Sequence, residues 1–256
     1  MTEVPVFLVN RRSDRLKRET MLRRCRELGI VPRMIEGVEG KEAARRIPHS
    51  GVTPGELGCL LSHRRIYETI LREQIPWSLV LEDDVHFDPE LPALLGATGR
   101  LPADCTVLLL GHHSCNARSL PTARHFRRSL PLTKRFRVVR PAENACGTYG
   151  YLIALEGARR LLEETKRIEK PADHYTGVHR RCGLRILHPP AVLIDETLDR
   201  YSAIDAERSA GRTKRRIRKE RLLAFAFVRF LYRLRHTVRS LRWGWSPHPC
   251  DRGGGA

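Results

Sequence analysis

The chain has 256 residues, 47 of them Lys or Arg against 29 Asp or Glu, for a formal net charge of +18 and a pI near 10.4. That length suits one large α/β domain with a tail, and a hydrophobic fraction of 41% is compatible with a packed core. Seven scattered cysteines without a Cys-x-x-Cys pair argue against a disulfide framework or zinc ribbon and for a reducing cytosol. With no signal-peptide pattern and no apolar stretch near the roughly 20 residues that span a bilayer, the protein is expected to be soluble or peripheral. The charge predicts attraction to a polyanion: nucleic acid, anionic lipid or a phosphorylated substrate.

Val4 to Val9 reads as a first buried strand, with Asn10-Arg11-Arg12-Ser13-Asp14-Arg15 at its carboxyl end and Ser13 as N-cap of the next helix. Met21, Cys25 and Leu28 give that helix an inward stripe, and Gly29 ends it. Val31 to Ile35 is a weaker strand leading to Gly37 and Gly40. Thr53-Pro54-Gly55-Glu56 has the spacing of a capping box with Pro at the first helical position. Leu57, Leu60, Leu61, Tyr67, Ile70 and Leu71 form the apolar stripe behind it, and Ser62-His63 within this helix reads, from spacing alone, as a structural contact.

Leu79 to Leu81 has the length of a buried parallel strand, and it runs straight into Glu82-Asp83-Asp84. Adjacent carboxylates repel. At the carboxyl end of a strand in an open α/β sheet, however, they border the ligand crevice, where a divalent cation would neutralise them. On extended backbone Glu82 and Asp84 point the same way and Asp83 elsewhere, so one side chain would hold a metal while its neighbour orients a sugar or ribose hydroxyl.

Asp88-Pro89 opens a short helix, and Cys105 to Leu110 is a third apolar run. His112 to Lys134 lacks periodicity and reads as a long loop over the active face; its His112-His113-Ser114-Cys115 has no second cluster at zinc-ligand spacing. Phe136 to Val139 is a strand, Cys146 to Leu155 a Gly-punctuated entry into another, Glu156 to Thr165 a helix, Pro171 to Tyr175 a polar helix start, and Leu184 to Leu187 a last short strand. From Arg208 to Trp243 one helical face carries Leu223, Phe227, Phe230, Leu231, Leu234, Val238 and Leu241, and the other Arg229, Arg233, His236 and Arg239. That is the pattern of a basic amphipathic helix lying on an anionic membrane surface, or docked on its own domain; residues 246–256 read as disordered.

Taken together, several stretches resemble glycosyltransferase family 25, the enzymes of lipopolysaccharide and lipooligosaccharide biosynthesis that also include collagen galactosyltransferases. They are Val6-Phe7-Leu8-Val9-Asn10 with Asp14-Arg15, the Gly37 to Gly40 turn, Thr53 to Cys59 running into Ser62-His63, and Leu81 to Val85. Gly147-Thr148-Tyr149-Gly150-Tyr151, Pro171-Ala172-Asp173 and Pro189 to Val192 continue the series, in order and spacing over residues 4 to about 205. The resemblance implies a GT-A (Rossmann-like) α/β domain over 1–205, with the basic helical tail at 206–245 standing outside the family pattern. It implies inverting transfer of a hexose, commonly galactose from UDP-galactose, to a saccharide acceptor, with Mn²⁺ or Mg²⁺ held by Glu82 and Asp84. Donor contacts fall to Asn10, Arg15, Ser62, His63, Glu82 and Asp83, acceptor contacts to Gly147, Thr148 and Tyr149, and the general base to Asp173, with Asp195 or Glu143 next in line. Such an enzyme is expected at the cytoplasmic face of the inner membrane. The competing readings are a non-enzymatic nucleic-acid binder, for which no helix-turn-helix, zinc finger or RNP-like strand is found, and a metal-dependent phosphohydrolase.

Overall fold

In the computed structural model the described residues are 4–114, 129–141, 145–177, 183–195 and 204. The amphipathic tail, the acid Glu143 and most of the expected loop after Ser114 lie outside them. Among the described residues no helix is long and apolar enough to cross a membrane.

Chain order begins β1 (Val6–Asn10), α1 (Arg15–Glu27), β2 (Arg33–Glu36), α2 (Gly40–Ala43), α3 (Pro54–Arg72), β3 (Trp77–Leu81), β4 (Val85–Phe87), α4 (Leu91–Gly96), β5 (Val107–Leu109) and β6 (His113–Ser114). It continues with β7 (Leu130–Pro131), β8 (Arg137–Val139), β9 (Ala145–Cys146), β10 (Gly150–Ala154), α5 (Leu155–Glu164), α6 (Ala172–Thr176), β11 (Leu184–His188) and β12 (Val192–Ile194). Eight strands make one sheet in the order β2-β1-β3-β10-β5-β11-β8-β7, an α/β architecture as expected. The sheet is mixed. β3 runs parallel to β1 on one side, but antiparallel to β10 on the other.

Both faces of the sheet are covered, and the strand residues alternate between them accordingly. Val6, Leu8, Leu79, Leu81, Leu108 and Leu152 face one way and pack with Met21 and Cys25 of α1 and Leu91 and Leu94 of α4. Phe7, Val80, Val107, Leu109, Tyr151 and Ile153 face the other and pack with Leu57, Leu60, Ile66 and Ile70 of α3 and Ala158 and Leu161 of α5.

Two helix starts decide how the site is framed. At α3 the expected capping box is complete: the Thr53 N–H donates to Glu56 at 2.8 Å and the Glu56 N–H to the Thr53 hydroxyl at 3.3 Å. At α1 the cap is Asp14, not Ser13, and its side chain makes no cap bond because Arg11 holds it at 2.8 Å. The α2 and α3 backbones touch through glycine: a Cβ on Gly40 would lie 1.8 Å from the Pro54 carbonyl oxygen, so no other residue fits there without movement.

Candidate functional site

The carboxyl ends of the parallel strands β1 and β3 and the start of antiparallel β10 lie side by side, bringing Asn10, Glu82 and Thr148 to one edge of the sheet. β3 ends at Leu81, and the backbone bends at Asp83 and Asp84 before entering β4. Because this stretch is not extended, the two-residue alternation rule fails for it. Glu82 turns to α3, where Oε1 lies 3.3 Å from His63 Nε2 and 4.0 Å from the Cys59 sulfur and accepts a 2.5 Å hydrogen bond from the Thr148 hydroxyl. Asp84 turns to α1, accepting from Lys17 Nζ at 2.8 Å, and the same ammonium lies 3.5 Å from Asp83. Asn10 Nδ2 donates to the other Asp83 oxygen at 2.7 Å. Glu82 and Asp84, expected to share a metal, thus have different partners here: Asp83 and Asp84 share one cationic side chain, and Glu82 meets His63 and Thr148.

The electrostatics separate the acids in the same way. Burial, then the Glu82 charge, pushes Asp84 up to about 6 despite Lys17. Burial likewise raises Asp83, against the pull of Lys17 and Asn10. For Glu82 burial works in the same direction, but the hydrogen bonds and charge of His63, with Thr148, outweigh it and hold the carboxyl below its ordinary value. Lys17 loses by burial and gains more from Asp84 and Asp83, so its pKa is raised. One ammonium against two adjacent carboxylates leaves this corner short of positive charge. All-oxygen donors with that deficit fit a hard divalent cation such as Mg²⁺ or Mn²⁺.

The other expected site residues divide into those that join this edge and those that support it. His63, fully buried, bonds the Tyr151 hydroxyl through Nδ1 at 2.8 Å, and that hydroxyl lies 2.9 Å from the Tyr67 hydroxyl. Ser62 is buried too, but its hydroxyl accepts from the Val38 N–H and donates to the Gly58 carbonyl, fastening the Gly37 to Gly40 turn to α3. These two bonds are what the structure gives this expected donor residue. Arg15 is exposed at the first position of α1; the cation that reaches the acids is Lys17. Tyr149 packs its ring against Gly111 and Gly147, and its carbonyl accepts from the Glu82 N–H at 3.0 Å, while Thr148 of the expected acceptor loop gives its hydroxyl to the Glu82 carboxylate. Gly147, at φ +131°, supplies the backbone conformation that lets the loop turn there.

Asp173 sits in α6, whose end is fixed to the strand leading into this loop: the Ala145 N–H donates to the Gly177 carbonyl at 2.9 Å. Its Oδ1 is buried without a hydrogen-bond partner among the described residues. Asp195 is otherwise engaged. Its N–H donates to the Asp84 carbonyl at 2.7 Å, and its carboxylate is paired with Arg24 at 2.6 Å and approached by His86 at 3.1 Å. It ties β12 and α1 to the back of the acidic turn, so it is a structural tie and not a ready base.

Sequence reasoning missed Lys17, Arg24 and the mixed cluster of Cys59, His63 and Glu82, whose ligand atoms all lie within 4.8 Å of one another. A signal for Lys17 existed. The buried stripe of α1 is Lys17, Met21 and Cys25, and a lysine on an inward face requires an acid opposite it.

Comparison with known proteins points one way. The family model described as Glycosyltransferase family 25 (LPS biosynthesis protein) matches residues 3–176. The chain is similar to Procollagen galactosyltransferase 1 of Danio rerio, 31% identical over 68% of this chain and 31% of that protein. It is 28% identical to a Glycosyltransferase 25 family member of Drosophila melanogaster, over 66% of this chain and 29% of the relative. A bovine relative (Bos taurus) described as Probable inactive glycosyltransferase 25 family member 3 is 29% identical over 68% of this chain and 31% of its own length. The chain thus spans less than a third of the length of the curated relatives it matches.

Proposed function

Because the chain belongs to glycosyltransferase family 25, we propose that it is an inverting galactosyltransferase, moving a hexose from UDP-galactose to a hydroxyl of a glycan such as a lipopolysaccharide core. The observation that carries this reading is the turn Glu82-Asp83-Asp84 at the carboxyl edge of the sheet, inside the matched segment, with Asp84 pushed up to about 6 by burial and the neighbouring Glu82 charge. The galactose assignment is drawn from the name of the zebrafish relative, and the acceptor class from the family description.

Asp83 and Asp84 are the residues we assign to hold Mn²⁺ or Mg²⁺. Bound there, the cation would neutralise the diphosphate oxygens that gain charge as the bond to the sugar breaks. Asn10 keeps Asp83 in place, and Lys17 holds the two carboxylates at one point and adds its own charge. Asp173 takes the proton of the acceptor hydroxyl, which is too weak an acid to ionise by itself at neutral pH. A single displacement from the face opposite the leaving diphosphate inverts the anomeric carbon.

A screen of purified protein against nucleotide sugars, with and without a saccharide acceptor and with Mn²⁺ or EDTA, tests the reading. Product is expected only when donor, acceptor and cation are all present. Equal nucleotide release without acceptor would make the protein a hydrolase, and an unchanged rate in EDTA would remove the cation from the mechanism. The relative described as inactive makes turnover itself the first thing to measure.

For residues 208–243 we propose membrane attachment on the sequence argument alone. Each Arg near an anionic leaflet contributes about 1 kcal/mol, and the apolar face adds burial of Leu, Phe and Trp. A chain ending near Ser202 is expected to lose binding to anionic liposomes yet keep activity on a soluble oligosaccharide, and binding of the full chain should weaken as salt rises. A truncated protein that melts early would instead show the tail to be part of the domain's own packing.

A further inference from the structure

We propose that Cys59, His63 and Glu82 form a site for a borderline-soft transition metal, Zn²⁺ or Co²⁺, separate from the hard-cation corner at Asp83 and Asp84. Cys59 and His63 are four residues apart on α3 and so share one helix face, and Glu82, the first residue beyond β3, meets that face. Their three ligand atoms lie within 4.8 Å of one another, with His63 Nε2 at 3.3 Å and the Cys59 sulfur at 4.0 Å from Glu82 Oε1. Tetrahedral zinc with bonds of ~2.0 to 2.3 Å requires ligand atoms about 3.3 to 3.8 Å apart, so the triad closes on a metal with small side-chain shifts.

The donor types set the preference. Thiolate and imidazole select Zn²⁺ or Co²⁺, whereas Mg²⁺ and Mn²⁺ prefer the oxygen-only pair beside it. The supporting shell is already in place. His63 is fully buried, and its Nδ1 is bonded to Tyr151, which in turn meets Tyr67, so the ring is held with Nε2 toward Glu82. The Glu82 side chain is 27% exposed and Cys59 is half-buried, so solvent reaches the triad from their side and a water or ligand oxygen would complete a tetrahedral set. On binding, the Cys59 thiol and the His63 Nε2–H that faces Glu82 both give their protons to solvent, the Nδ1 contact with Tyr151 is kept, and the freed Nε2, the thiolate and the Glu82 carboxylate bond the metal.

The same distances also describe a carboxylate simply held by hydrogen bonds from His63 and Thr148. The two arrangements differ in whether the thiol is needed. Full-length protein, reduced and freed of metal with EDTA, is titrated with Co²⁺ in the absence of any nucleotide. One equivalent should produce the near-ultraviolet thiolate-to-cobalt charge-transfer band and the visible absorption of four-coordinate cobalt. Zn²⁺ should bleach both at one equivalent, and Mg²⁺ in excess should not. Cys59→Ser, with Cys59→Ala as a second variant, should lose the charge-transfer band and bind Zn²⁺ at least ~10-fold more weakly, while Asp84→Ala retains both properties. Absence of the band in the wild-type protein, or its persistence in both Cys59 variants, overturns the proposal. None of these readings depends on transferase activity, so the failure of one assignment is distinct from the failure of the other.

Discussion

Asp84→Ala is expected to lower kcat for transfer by about 10² to 10³ while leaving the protein as stable as before or more so. The first half follows from the place of Asp84 at the carboxyl edge, where it and Asp83 converge on Lys17 and would hold the cation that meets the diphosphate. The second half follows from proton linkage. The folded-state pKa of Asp84 is raised from the usual carboxylate value to about 6, so the folded protein holds this proton more tightly than the unfolded chain does. The stability that comes with the proton is present at pH ~4 and lost as pH rises to ~6, so the ionised carboxylate works against the fold at neutral pH. Thermal melts in EDTA should show the wild-type protein losing Tm across that window and Asp84→Ala losing less. Lys17 is not stranded by the change, since Asp83 remains 3.5 Å away. Wild-type transfer rates in Asp84→Ala would sink the assignment, and a collapse of Tm would show Asp84 to be structural.

Where sequence reasoning succeeded, local chemistry determined the outcome. Thr53, Pro54 and Glu56 sit where a capping box requires them, and α3 begins there. Gly29 follows α1 with φ +68°, as a glycine beyond a helix end does. The α/β architecture was legible because helical stripes alternate with short apolar runs. Strand direction was not: hydrophobicity alone gives Gly150 to Ala154 no polarity, and the insertion of β10 antiparallel between β3 and β5 depends on tertiary packing.

The acidic turn shows the same limit at the site. Position in the sequence located Glu82, Asp83 and Asp84 at the end of β3, but alternation assigns side-chain direction only while the chain stays extended, and here it bends. Contacts between residues distant in sequence, Arg24 with Asp195 and His63 with Tyr151, leave no periodic trace in either partner. Lys17 is the exception, because its place on the inward stripe with Met21 and Cys25 was there to be read.

Asp173→Asn should cut kcat by roughly 10² to 10⁴ with little change in donor KM. Of the three acids considered for the base, Glu143 lies outside the described residues, and Asp195 is buried in an ion pair with Arg24 that fixes the acidic turn from behind. Asp173 differs in that its Oδ1 is buried with no partner among the described residues, a costly state for a carboxylate oxygen unless something fills it. An acceptor hydroxyl would: it donates a hydrogen bond in the ground state and its proton in the transition state. Position supports the role, since α6 is fastened through Gly177 and Ala145 to the segment that leads into Gly147 and Thr148, and Thr148 bonds Glu82. Asparagine keeps the shape of the side chain but cannot take the proton, so the loss should fall on kcat and spare donor binding. The measurement is steady-state transfer with saturating acceptor, together with donor affinity by equilibrium titration. A normal kcat would assign the proton to another acid, whereas a matching loss of donor affinity would place Asp173 in the donor site instead of at the acceptor hydroxyl.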